Sequence, residues 1–95
     1  MGFPEGLVAY RRSPEFNEET LPAGLRRAHT TKAGTWALIH VLEGKLLYRV
    51  LDPACEQVLA PGTPGIVVPK QQHEVQPLGP VRLFIEFYAA AEPQP

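Results

Sequence analysis

An all-β domain of short strands is what this sequence predicts, and three observations carry the prediction. Eleven prolines and eight glycines are spread through the 95 residues at fairly regular intervals. An interior proline costs a helix about 3 kcal/mol, so few windows remain in which a long helix fits. The longest proline-free window, residues 23–52, is broken by Gly34 and Gly44 into short runs of β-branched and aromatic residues. Within those runs apolar positions alternate with a period of two, the repeat of a strand with one covered face.

Taken in order, residues 6–12 form a strand, followed by a proline-punctuated stretch through Glu19 and a second strand over residues 24–31. Residues 35–42 and 45–51 flank Glu43-Gly44, a two-residue turn signal between apolar runs, which predicts a hairpin. Residues 56–59 are a further strand, residues 60–65 (APGTPG) a loop, and residues 66–68 a short apolar run of the kind buried on both faces, closed by Pro69. Strands over residues 73–76 and 81–88 are separated by Pro77-Leu78-Gly79-Pro80, whose fixed and permissive dihedrals suit a turn. Residues 89–95 (AAAEPQP) read as a frayed tail. No repeat or linker divides the chain, so residues 1–95 form one domain whose seven or eight strands suit a double-sheet jelly roll or a barrel.

Composition removes several functions. An apolar fraction of 44% with 20% charged residues is that of a globular protein. A net charge of −1 gives no summed field for a nucleic acid or an anionic membrane, so neither is expected as a partner. One cysteine, Cys55, allows neither an internal disulfide nor a thiolate cluster, which points to a reducing, cytoplasmic setting. The N-terminal MGFPEGLVAYRR lacks the apolar segment of an export signal, and no run approaches the roughly 18 apolar residues of a membrane span. GxSxG, GxxxxGK[ST], GxGxxG and HExxH are all missing, so serine-hydrolase, nucleotide and zincin chemistry have no motif behind them.

Candidate site residues follow from strand parity. In residues 35–42, Ala37, Ile39 and Val41 share one face, and Trp36, Leu38, His40 and Leu42 the other. His40 therefore reads as a histidine on a sheet surface or at a subunit contact. His29 and His73 both stand at strand–loop junctions, where side chains can be aimed into a barrel mouth. Glu86 lies in VRLFIEFY between apolar neighbours, and a carboxylate there is costly to bury unless paired or bound to a metal. Two imidazoles and a carboxylate from separate strands could make a three-ligand face for a divalent transition metal. The competing reading pairs Glu86 with Arg82 or leaves it on an exposed face. Arg27 shares parity with His29 and could attract an anionic ligand.

The segment LPAGLRRAHTTKAGTWALIHVLEGKLLYRV, residues 21–50, followed by PGIVVPKQQHEVQPLGPVRLFIEFY, residues 64–88, resembles the small cupins of the tellurite-resistance-protein-B-like and YeaR-like family. The markers are PAG followed by a histidine, the TKAG turn, the VLEG hairpin and a proline loop ending in a histidine before the final aromatic strand. This resemblance implies a double-stranded β-helix. Aligning Gly44 with the glycine of the first cupin motif puts Thr31, Ala33 and Ala37 where that motif has its ligands; His73 keeps the histidine of the second. The resemblance then implies a metal held by His29, His73 and Glu86, with zinc, iron, manganese or nickel compatible with the set, and a link to oxyanion or stress response without a defined reaction. Whether the chain turns over a substrate stays open. The alternative is a non-catalytic sensor or binding module without metal, taking a small molecule or anion near Tyr48, Trp36, Gln71 and Gln72. Either would form a homodimer, with Trp36, Leu38 and His40 offering an apolar outer face.

Overall fold

The computed structural model describes residues 4–26, 31, 33–52 and 54–90. The chain is all-β as expected, and two long strands carry the architecture. β3, Trp36–Leu51, and β6, His73–Ala90, run antiparallel from the Trp36↔Tyr88 pair to the Val50↔His73 pair. β1, Leu7–Arg12, pairs with the far edge of β6, and the two-residue β2, Phe16–Asn17, lies beside the middle of β6. β4, Ala54–Leu59, covers the second half of β3, and β5, Gly65–Val67, its first half. The result is one six-stranded sheet of order β1-β6-β3-β4, with β2 on β6 and β5 on β3.

Both turns expected within these strands are bends instead. The chain stays extended through Glu43-Gly44 and through Pro77-Leu78-Gly79-Pro80, and the ladder slips between Val41 and Glu43 and again between Gly44 and Leu46. The reason lies in how the two breaks meet. Gly44 pairs with Val81, next to Pro80, so each turn-forming segment faces the other across the ladder and the pair of strands kinks together. Gly44 and Gly79 take positive φ of 80° and 108° at this kink. A Cβ on Gly44 would lie 2.1 Å from the Pro80 carbonyl oxygen, so only glycine fits.

The strand expected over residues 24–31 begins instead as a 3-10 turn, Ala23–Arg26, and residues 27–30 lie outside the described residues. Pro22 starts that turn, and its carbonyl accepts the Leu25 N–H at 3.0 Å. At the other end, β6 continues through Ala89 and Ala90, which pair with Val8 and Leu7, so the first two residues of the expected tail are strand. β5 is covered on one face only: Gly65 and Val67 are buried, while Ile66 is half-buried on the other side.

Alternation places the core as the parity argument requires. Ala37, Ile39 and Val41 of β3 point inward with Val75, Val81, Leu83 and Ile85 of β6, and the kink brings Leu46, Tyr48 and Leu59 onto the same interior. Leu46, Leu59 and Leu83 are fully enclosed. On the outer face, Trp36, Leu38, His40, Phe84, Glu86 and Tyr88 form a half-buried band.

Candidate functional site

The same alternation separates the residues expected to act together. His73 and Glu86 both belong to β6, but they sit at odd and even positions and so face opposite sides of the sheet. His73 points inward and is 5% exposed. Its Nδ1–H donates to the Gln71 carbonyl at 2.9 Å, which fixes the proton on that nitrogen when the ring is neutral. The ring lies edge-on to Tyr48, centroids 5.9 Å apart. The Tyr48 hydroxyl in turn donates to the Ile66 carbonyl at 2.8 Å, and burial, assisted by Cys55, pushes this phenol up to about 12.

His73 lines an apolar cavity of about 40 Å³ together with Ala37, Ile39, Val67, Val75 and Ile85. A wider groove of about 620 Å³ adjoins it, since Leu25, Thr31, Ile85 and Phe87 line both. Arg11 stands on the wall of this groove, its guanidinium carbon 6.0 Å from the centre of the Phe87 ring. Two of the nearby hydroxyls are engaged: Thr31 donates to the Thr35 carbonyl at 2.9 Å, and Ser13 donates to Pro14 while accepting the Ile85 N–H.

Glu86 lies on the outer face in a different company. Its Oε1 accepts the Tyr88 hydroxyl at 2.7 Å and lies 3.1 Å from His40 Nε2. His40 stacks on Phe84 at 4.8 Å, and Arg12 covers the same ring at 4.3 Å. The Tyr88 hydrogen bond holds the Glu86 carboxyl below the ordinary carboxylate range; burial opposes it, and His40 and Arg12 add smaller pulls downward. The same bond raises the Tyr88 phenol. Glu86 thus pairs with neither Arg82, which binds Glu15 and Glu43 at 3.0 Å each, nor His73.

His29 lies outside the described residues, so the structure brings His40 to Glu86 and leaves His73 apart from both. Among the described residues no group of three His, Cys, Asp or Glu side chains could hold a metal ion. Trp36 and Tyr48, expected near one opening, are also divided, Trp36 on the outer band and Tyr48 in the core. Cys55 is exposed and unpaired, on β4 rather than in a loop. Sequence parity had already put His40 and Glu86 among the larger residues of their strands. Only the register, with Leu38 opposite Glu86 and His40 opposite Phe84, makes them neighbours.

A model of the TehB-like domain matches residues 11–85. The chain belongs to the TehB-like family. A curated relative, the probable S-adenosyl-L-methionine-dependent methyltransferase TehB of Haemophilus influenzae, is 30% identical over 92 residues, covering 90% of this chain and 32% of its own. The crystal structure of TehB from that organism superposes with a TM-score of 0.83 at 28% identity, again over 90% of this chain and 32% of the other. An Escherichia coli K12 protein of known structure gives a TM-score of 0.89 at 22% identity, with 97% of this chain and 99% of that one covered. This TehB-like chain therefore spans about a third of the length of the curated relative, and has the same fold as the E. coli protein.

The relatives correct the metal expectation. They are named for S-adenosyl-L-methionine and methyl transfer, so the transition-metal cofactor, zinc, iron, manganese or nickel, and the metal-binding cupin function built on it give way. The residues present do not fit an adenosyl group either. The enclosed cavity is too small and wholly apolar apart from His73, Thr31 and backbone, and neither it nor the groove is lined, among the described residues, by a carboxylate for ribose hydroxyls.

Proposed function

We propose that this chain is a small-molecule binding module of the TehB-like family that serves S-adenosyl-L-methionine-dependent methyl transfer without holding that cofactor itself. The observation that carries the reading is the apolar cavity lined in part by His73, which adjoins an open groove with a guanidinium on its wall. Enclosed apolar space with few, placed polar groups is the ordinary form of a small-ligand site. The names of the longer relatives support the link to methyl transfer, and the chain's span of 32% of one such relative supports a module rather than the whole activity. The cavity takes the body of the ligand; the groove, lined in part by Arg11 and Phe87, takes its polar end.

A thermal-shift series tests this. Small organic ligands should raise the melting temperature of the wild type, and Ala37→Leu, which fills the cavity from a wall residue 1% exposed, should remove the effect while the variant stays folded. Ligands that stabilise both proteins equally contradict the reading.

The kinked pair of long strands and the likeness to the E. coli protein support, as the finer description of the fold, the cupin-type double-stranded β-helix. A second copy of the chain is the partner that the outer band favours. Trp36, Leu38, His40 and Phe84 put half-buried aromatic and apolar surface on one face of the sheet. The single exposed thiol of Cys55 supports a reducing, cytoplasmic setting; no helix among the described residues is long and apolar enough to cross a membrane.

A further inference from the structure

Arginines on this protein are, with one exception among the described residues, engaged by acceptors or neighbouring charge. Arg49 binds Glu56 and Glu74, Arg82 binds Glu15 and Glu43, and Arg26 donates to the Glu18 carbonyl. Arg12 lies on Phe84 within the electrostatic reach of Glu86. Arg11 has no carboxylate within ion-pair distance among the described residues; its guanidinium lies over the Phe87 ring. It stands beside the groove that adjoins the cavity, and no carboxylate lines either space among the described residues.

We propose that the pocket binds a small aliphatic carboxylate, with Arg11 receiving the carboxylate at the groove and the cavity lined in part by His73 receiving the tail. The proposal rests on the pocket being a ligand site and adds the class of ligand. A guanidinium presents a planar fork that matches a carboxylate, and it is less strongly hydrated than an ammonium, so it loses less when a ligand covers it. Phe87, which lines both spaces, holds the guanidinium carbon 6.0 Å above its ring and so keeps the cation at the boundary between them. The cavity of 40 Å³ fixes the tail length. A water needs about 10–15 Å³ measured in this way, so the space suits a branched tail of about three or four carbons. The Thr31 and Ser13 hydroxyls beside the groove are committed, Thr31 to the Thr35 carbonyl and Ser13 to Pro14 and Ile85, and Arg11 is the cation among the described residues that line it.

Isothermal titration of the full chain with 3-methylbutanoate and with its neutral isostere 3-methylbutanamide separates the parts of this proposal. Wild type should bind the carboxylate about tenfold more tightly than the amide, as one charge-assisted contact predicts. Arg11→Gln, a change at an exposed residue, should bring the two to equal affinity. Ala37→Leu should abolish both. Equal binding of acid and amide by wild type, or a preference that survives Arg11→Gln, overturns the carboxylate assignment and leaves the pocket reading standing. Binding of neither probe, or binding that Ala37→Leu does not affect, overturns the assignment together with the pocket.

Discussion

Glu86 shows how much one side chain's surroundings decide. Its oxygen is shared by Tyr88 and His40, and these bonds hold the carboxyl below its ordinary 4.5. A carboxylate with a depressed value in the fold stabilises the protein above the unfolded value and loses that contribution as pH falls through the folded one. Wild type should therefore lose stability as pH drops below about 4.5, and Glu86→Gln should flatten that limb of a denaturation-against-pH curve; an unchanged acid limb contradicts the assignment. Tyr48 titrates in the opposite sense. Burial raises the phenol from 10 to about 12, so its contribution is complete below pH 10 and is lost as pH rises toward 12. Tyr48→Phe removes the donor to the Ile66 carbonyl and should cost about 1–2 kcal/mol in denaturant unfolding at neutral pH, with a shallower alkaline limb.

Strand parity was legible in the sequence, and it placed Ala37, Ile39 and Val41 inward and His40 and Trp36 outward as found. The turn signals were legible too, but not their meaning. Glu43-Gly44 and the Pro77 to Pro80 segment have the chemistry of reversals, and a local reading gives two hairpins. What makes them bends is that they meet across the β3–β6 ladder, a contact between residues far apart in the chain. The expectation that His73 and Glu86 meet missed a constraint of the same kind. His73 and Glu86 stand on one strand with opposite parity, and treating them as products of two separate strands hid the conflict. The partner that Glu86 does have, His40, required the register. The kink itself is testable: Gly44→Ala sets a side chain on a positive φ and against the Pro80 oxygen, and should destabilise by at least ~2 kcal/mol in chemical denaturation. Leu46→Ala, just beyond the kink and fully enclosed, should cost about 2–5 kcal/mol by the same measurement.

At the scale of the whole molecule, one sheet bent at its middle encloses an interior that stops short of complete filling, and the unfilled part, lined in part by His73, adjoins the groove beside Arg11. The outer band faces the other way and suits a second copy. Sedimentation at about tens of micromolar should find a dimer, the range in which a weak isologous contact of this kind forms, and Trp36→Glu should shift it to monomer without altering ligand binding in the pocket. On the proposed reading the interior takes ligand and the outer band takes a second copy. Methyl-labelled nuclear magnetic resonance tests it most directly: during titration with a small aliphatic ligand, the methyl signals of Ile39, Val67, Val75 and Ile85 should move together and saturate, while those of Leu38 and Ile66 on the outer face stay in place. Saturable movement confined to the outer pair, with the four interior residues unchanged, would contradict the account.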